Sequence, residues 1–251
     1  MRAFAFNVAY WALSITYGLA AAIAAALPGR DATAAVVRRY TERMVQAMRA
    51  IGGIQMEVLG RERLPEGPFI IASKHQSWGD GFSVYAHVDD VVVVIGEHME
   101  KLPLISTILR KLRSVVVRKT GARETREAMR RQGEWARREH CRILIYPEGA
   151  LAKVGEKFTY QSGVWRMSRD FELPVVPVAS NLGLFWPQKA THRTRPGTAT
   201  VEFLEPIPSG LPKAEFMARL EAVIEDRTAE LIAQAAGREV APAVWAPTPT
   251  D

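Results

Sequence analysis

From Gly52-Gly53 onward the chain is built of short apolar runs, each closed by a turn signal or a helical stretch, and this alternation restricts the fold more than any other feature. The runs at 54–59, 69–72, 91–95, 114–118, 142–146, 175–179 and 198–204 have strand length and strand composition. Stretches 82–86, 104–111, 123–138 and 164–169 read as helices between them, and a last helix at 213–234 sets Phe216, Leu220, Val223 and Leu231 on one side. Strands separated by helices predict an α/β sandwich around a mixed, largely parallel sheet, because a parallel connection needs a crossover that brings the chain back. At 251 residues the chain suffices for one sizeable core of this kind and is short for two. The expected division is an N-terminal helical attachment at 1–52, the α/β domain at 53–236 and a loose tail at 237–251, interrupted by Pro242, Pro247 and Pro249.

Residues 3–29 contain no charge and stay apolar through Phe4, Phe6, Trp11, Leu13, Ile15, Leu19, Ile23 and Leu27. A bilayer span needs about 20 such residues, so a spanning helix, a helix buried in one leaflet and a cleaved signal peptide all fit the length. The single Arg2 makes a thin charged region for the last of these. Pro28 and Gly29 break the helix, and a second one follows with Val36, Val37, Tyr40, Met44, Met48 and Ile51 at helical spacing. Its other face carries Arg38, Arg39, Arg43 and Arg49 against Glu42. Such a helix either lies on anionic headgroups with its apolar face down or packs on the domain.

The net charge of +6 favours an anionic partner: a nucleic acid, a phosphate substrate or an anionic membrane surface. Neither zinc-finger spacing, nor an RNP-type aromatic motif, nor a Lys/Arg block is present, which argues against nucleic acid. Cys141 is the only cysteine, so an internal disulfide is excluded and a reducing compartment fits. Its neighbour His140 would point to the opposite face of a strand, and Cys141 reads as a small core residue rather than a nucleophile. His87, His98, His140 and His192 lack metal-ligand spacing, and Gly149, Gly155 and Gly163 make no dinucleotide or P-loop fingerprint, so neither a metal nor a cofactor is expected.

Lys74-His75-Gln76-Ser77-Trp78-Gly79-Asp80 follows a buried strand and precedes a helix, and strand ends are where sites form in open α/β sheets. An imidazole accepts a proton near neutral pH, and a carboxylate on its other nitrogen orients it and stabilises the imidazolium. Five residues along one helix would set His75 and Asp80 about 140° apart. His75 is therefore expected in the loop, with Asp80 in the first helical turn and the chain folding back between them.

Three further stretches follow in order: Val115-Val116-Val117-Arg118, Tyr146-Pro147-Glu148-Gly149-Ala150-Leu151-Ala152, and Val175-Val176-Pro177-Val178 with Asn181-Leu182-Gly183-Leu184-Phe185-Trp186-Pro187 after it. Together with the His75 block they resemble the glycerolipid acyltransferase family, in particular its bacterial lysophosphatidic acid acyltransferases, over about residues 74–187. The resemblance implies that His75 is the general base for an acceptor hydroxyl attacking an acyl thioester directly, with Asp80 orienting it and no acyl-enzyme. It further implies that Arg118, Glu148 and Gly149 hold the acceptor headgroup. Two departures stand out: Val117 replaces an acid that often precedes the arginine, and Leu151 stands where the family has an arginine. Either Lys153 or another cation takes the place of that arginine, or the acceptor lacks the usual phosphate monoester. Acyl-CoA or acyl carrier protein is the implied donor, a lysophospholipid the acceptor, and the cytoplasmic face of a bacterial inner membrane the place of work. A relative acylating another lyso-lipid such as lyso-ornithine lipid, or a non-catalytic membrane-binding module, are the alternatives.

Overall fold

The computed structural model describes residues 1–117, 122–188, 190–237 and 244–247. Helices α1 (Arg2–Ala24) and α2 (Asp31–Ala47) lead through a wide turn at Met48–Gly52 into β1 (Ile54–Leu59). Then come β2 (Ile70–Ser73), α3 (Asp80–Tyr85), β3 (Val91–Gly96), α4 (Pro103–Lys111), β4 (Val115–Val117), α5 (Ala122–Arg138) and β5 (Arg142–Ile145). The chain continues through β6 (Glu156–Lys157), α6 (Gly163–Phe171), β7 (Val175–Ser180), β8 (Gly197–Phe203), α7 (Lys213–Ala236) and β9 (Val244–Trp245).

Seven strands form one sheet in the order β1-β8-β7-β2-β5-β3-β4. The five from β7 to β4 run parallel, β8 is antiparallel to β7, and β1 is parallel to β8, which is the mixed, largely parallel sheet expected. Central β2 is buried on both faces, as a strand covered by helices on each side must be. Below it Ile70, Ala72, Ile143 and Val175 pack against Val164, Met167, Phe216, Leu220 and Ile224 of α6 and α7. Above it Phe69, Ile71, Leu144 and Val176 pack against Val84 of α3. Pro177 donates no hydrogen bond, yet it sits in a fully buried strand. It is accommodated because β8 joins β7 only from Val178 onward, while the Pro177 carbonyl accepts from Leu204 N at 2.9 Å.

The two N-terminal helices are part of the packed body. Phe6 of α1 meets Trp186 edge-on at 5.1 Å and Tyr10 stacks on Trp78 at 5.6 Å. Met44, Ala47 and Met48 turn inward onto the same cluster with Ile54 and Ala199. Of the two positions open to α2, the structure takes the packed one: its apolar face is covered and Arg38, Arg39, Arg43 and Arg49 face out. Helix α1 has the length and composition to cross a bilayer: it has 23 residues, and an 18-residue stretch of it has mean hydropathy 1.3. Its outward face carries Phe4, Val8, Trp11, Ile15, Leu19 and Ile23, exposed by 49% to 74% and spaced three or four residues apart. Within the tail expected to be loose, Val244–Trp245 pairs in parallel with Glu156–Lys157, and the Lys157 ammonium lies 4.6 Å from the Trp245 ring centre.

Candidate active site

Strands β2, β5 and β7 are neighbours and parallel, so their C-terminal ends lie at one edge of the sheet. That edge brings together the His75 block after β2, the Tyr146 block after β5 and the Asn181 segment after β7. Strand β4 ends at the same edge with Val117, and Arg118 lies outside the described residues.

After β2 the chain turns sharply into α3. Asp80, 1% exposed, occupies the first turn of that helix and reaches back over the loop. Its Oδ2 accepts from Gln76 N at 2.7 Å and Ser77 N at 2.8 Å, and lies 3.0 Å from His75 Nδ1. The two amides already require this oxygen to accept, so the ring nitrogen donates to it and Nε2 is left as the proton acceptor. This is the fold-back expected from the spacing. Gly79 permits the turn: a Cβ there would come within 2.7 Å of Leu182 and 2.8 Å of Trp186. A second strap holds the loop from outside, with Trp78 N donating to Gln188 O at 3.1 Å and Gln188 N to Gln76 O at 2.8 Å.

The His75 ring stacks on Tyr146, with centroids 3.8 Å apart and planes 18° from parallel, and the side chain remains 21% exposed. Ala152 N donates to His75 O at 2.8 Å, which ties the loop after β5 to the His75 loop. Gly149 turns that loop with φ of 70°, a left-handed conformation that other residues adopt only with strain. Tyr146 Oη and Asp80 Oδ1 are both buried with no partner among the described residues. Burial and the charge of Asp80 push the Tyr146 hydroxyl well above its ordinary range, so it stays protonated.

Glu148, expected at the acceptor headgroup, is turned inward onto Lys74. It is 0% exposed, and its Oε1 accepts from the Lys74 ammonium, which is 1% exposed. Glu225 of α7 shares the same ammonium at 2.8 and 3.1 Å, and Tyr160 Oη donates to Glu225 at 2.8 Å. Burial raises the Glu148 carboxyl to about 7, with Lys74 opposing the rise and Glu225 adding to it. Lys153 sits at the surface, 67% exposed, with its ammonium 3.5 Å from Glu156. Cys141 is fully buried, and burial pushes its thiol up, against nucleophilic use.

Lys74, Glu225 and Tyr160 carried no role in the sequence reading. The available signal was an acid in the middle of the buried stripe of α7, between Leu220 and Leu231.

A family model described as Acyltransferase matches residues 55–181, a span holding His75, Asp80, Glu148 and the Asn181 turn. The 1-acyl-sn-glycerol-3-phosphate acyltransferase of Pseudomonas aeruginosa is 30% identical over 179 residues, covering 71% of this chain and 69% of that protein. The chain belongs to the acyltransferase family. The human 1-acyl-sn-glycerol-3-phosphate acyltransferase beta is 28% identical over 197 residues, covering 73% of this acyltransferase and 70% of the relative. The crystal structure of a 1-acyl-sn-glycerophosphate acyltransferase from Thermotoga maritima superposes with a TM-score of 0.73, over 92% of this chain and 98% of that one, at 19% identity. That likeness extends the acyltransferase fold over the N-terminal helical pair as well as the sheet.

Proposed function

We propose that this acyltransferase moves a fatty acyl group from acyl-CoA or acyl carrier protein to the free hydroxyl of lysophosphatidic acid, giving phosphatidic acid. The observation that carries the proposal is the His75–Asp80 pair: a partly open imidazole whose Nδ1 is fixed by a buried carboxylate and whose ring plane is fixed by Tyr146. The acceptor oxygen attacks the thioester carbonyl while its proton passes to His75 Nε2. The carbon–sulfur bond then breaks, and the imidazolium returns the proton to the leaving thiolate. A positioned base of this kind contributes about a hundred- to ten-thousandfold. A non-catalytic membrane module is disfavoured, since nothing in such a role requires a base and its orienting acid to be held together.

The place of work proposed is the cytoplasmic face of a bacterial inner membrane, with α1 embedded in one leaflet. Support comes from its two unlike faces: one is packed through Phe6 and Tyr10, and the other is apolar and open. A helix crossing the bilayer would have to abandon the packed face.

A second acceptor is favoured by one observation. Leu151 stands at the family arginine, and its nearest cation in sequence, Lys153, already faces Glu156. An acceptor without a phosphate monoester, such as lyso-ornithine lipid, would need less positive charge there. One labelled thioester offered against both acceptors tests the proposal. Lysophosphatidic acid should be acylated, His75→Ala should abolish transfer in a folded protein, and Asp80→Asn should leave a small residue of activity. On lysophosphatidic acid, Arg118→Ala should cost roughly ten- to two-hundredfold in kcat/KM, at about 1.5–3 kcal/mol for a charged hydrogen bond. Full turnover by His75→Ala would end the mechanism, and preference for lyso-ornithine lipid would move the acceptor.

A further inference from the structure

Lys74 precedes the base by one residue at the end of β2, and its side chain is buried on the side away from solvent. Its ammonium is shared by four acceptor atoms: Glu148 Oε1, Glu225 Oε1 at 2.8 Å, Glu225 Oε2 at 3.1 Å and the carbonyl of Glu156 at 3.3 Å. Two of these acceptors, Glu148 and the Glu156 carbonyl, belong to the segment that leaves β5. The same segment presents Tyr146 to the face of the His75 ring and Ala152 N to the His75 carbonyl. One ammonium therefore grips the same loop that touches His75 through Tyr146 and Ala152.

Glu225 comes from α7, beyond the 55–181 span shared with the family model. It accepts both from Lys74 and from Tyr160 Oη at 2.8 Å, so the clamp is fixed to a long helix rather than left between two loops. A lysine held by Glu148 alone would have spare donor capacity and freedom to shift. Held by both carboxylates it has one position, and so has the loop.

We propose that Lys74 and Glu225 are positioning residues for acyl transfer, holding the 146–152 loop, through Glu148, at its working distance from His75. The proposal rests on the acyl-transfer function given above. Neither side chain touches the reacting atoms, so both act through the orientation of the imidazole.

The test is Glu225→Gln in the full-length protein, with Glu225→Asp and Lys74→Met as companions, and lysophosphatidic acid with an acyl-CoA as the substrates. Four quantities are read: kcat, KM, the thermal midpoint, and the nitrogen NMR signals of the His75 ring, assigned by their loss in His75→Ala. Glu225→Gln should lower kcat tenfold or more with KM within twofold, and should shift or broaden the His75 ring signals. Glu225→Asp should recover more of kcat than Gln does, because it keeps the charge, and Lys74→Met should lose the most. A folded Glu225→Gln protein with parental kcat and an unchanged His75 spectrum overturns the proposal. So does a fall in kcat that equals the fall in folded fraction. If Lys74→Met does not fold, Glu225→Gln alone decides. If the parent protein transfers acyl to no lysophospholipid, the functional assignment fails, while the His75 ring spectrum still judges the clamp.

Discussion

Burial lifts the Glu148 carboxyl from an ordinary value of 4.5 to about 7, and this makes a single side chain a lever on stability. Between those values the folded protein holds a proton that the unfolded chain has released. The stabilisation is complete below the lower value and is lost as pH rises through the upper one, over a span of about 3 kcal/mol at about 1.4 kcal/mol per unit. Glu148→Gln imitates the protonated acid and does not titrate. Its thermal midpoint relative to the parent should therefore climb by several degrees between pH 5 and pH 8, and parallel curves for the two proteins would disprove the assignment. His75 and Asp80 were legible in the sequence because their relationship is local, five residues closed by one turn. The Lys74–Glu225 pair was not, since its partners are 151 residues apart and helical periodicity reports only that a face is buried. Glu148 was legible as part of a motif, while its pairing with Lys74 was not, because a motif gives an address and not the partner on which a carboxylate closes.

On the membrane placement proposed above, α1 and α2 would divide the work of contact unequally. A fully buried apolar side chain gains about 1.5–3 kcal/mol, whereas each arginine near an anionic surface gains about 1 kcal/mol. The six open side chains from Phe4 to Ile23 therefore outweigh Arg38, Arg39, Arg43 and Arg49, of which Arg38 is already paired with Asp89 and Arg39 with Glu42. Ile15→Glu combined with Ile23→Glu should abolish binding to phospholipid vesicles while leaving the thermal midpoint within a few degrees, since both side chains face outward. Retained vesicle binding in low and high salt would show that α1 is not the anchor. The sequence showed α1 to be apolar without showing that it is two-faced, because its inward residues Phe6 and Tyr10 are as apolar as its outward ones. For α2 the pattern was clear and the partner was not: an apolar stripe fits a lipid surface and a protein surface equally well.

Across the whole molecule, the α/β class and the mixed sheet followed from the order of strands and helices, while the strand order did not. Nothing local indicates that β1 and β8 lie side by side, with Ile54 opposite Gly197 and Thr200 bonding to Glu57 across 143 residues. The cluster of Phe6, Met44, Met48, Ile54, Trp186 and Ala199 depends on that pairing. Deleting residues 1–52 should accordingly lower the thermal midpoint and drive aggregation in detergent-free buffer, and a monodisperse, equally stable remainder would contradict the packing described. The long separation between β1 and β8 also fixes an order of events during synthesis. Helix α1 emerges from the ribosome with both faces bare, long before Trp186 exists to cover one of them. The nascent chain is therefore at its stickiest when it is shortest, and the bilayer is the first apolar partner within its reach. On the membrane placement proposed above, α1 would be seated in the bilayer before the loop that carries His75 is assembled.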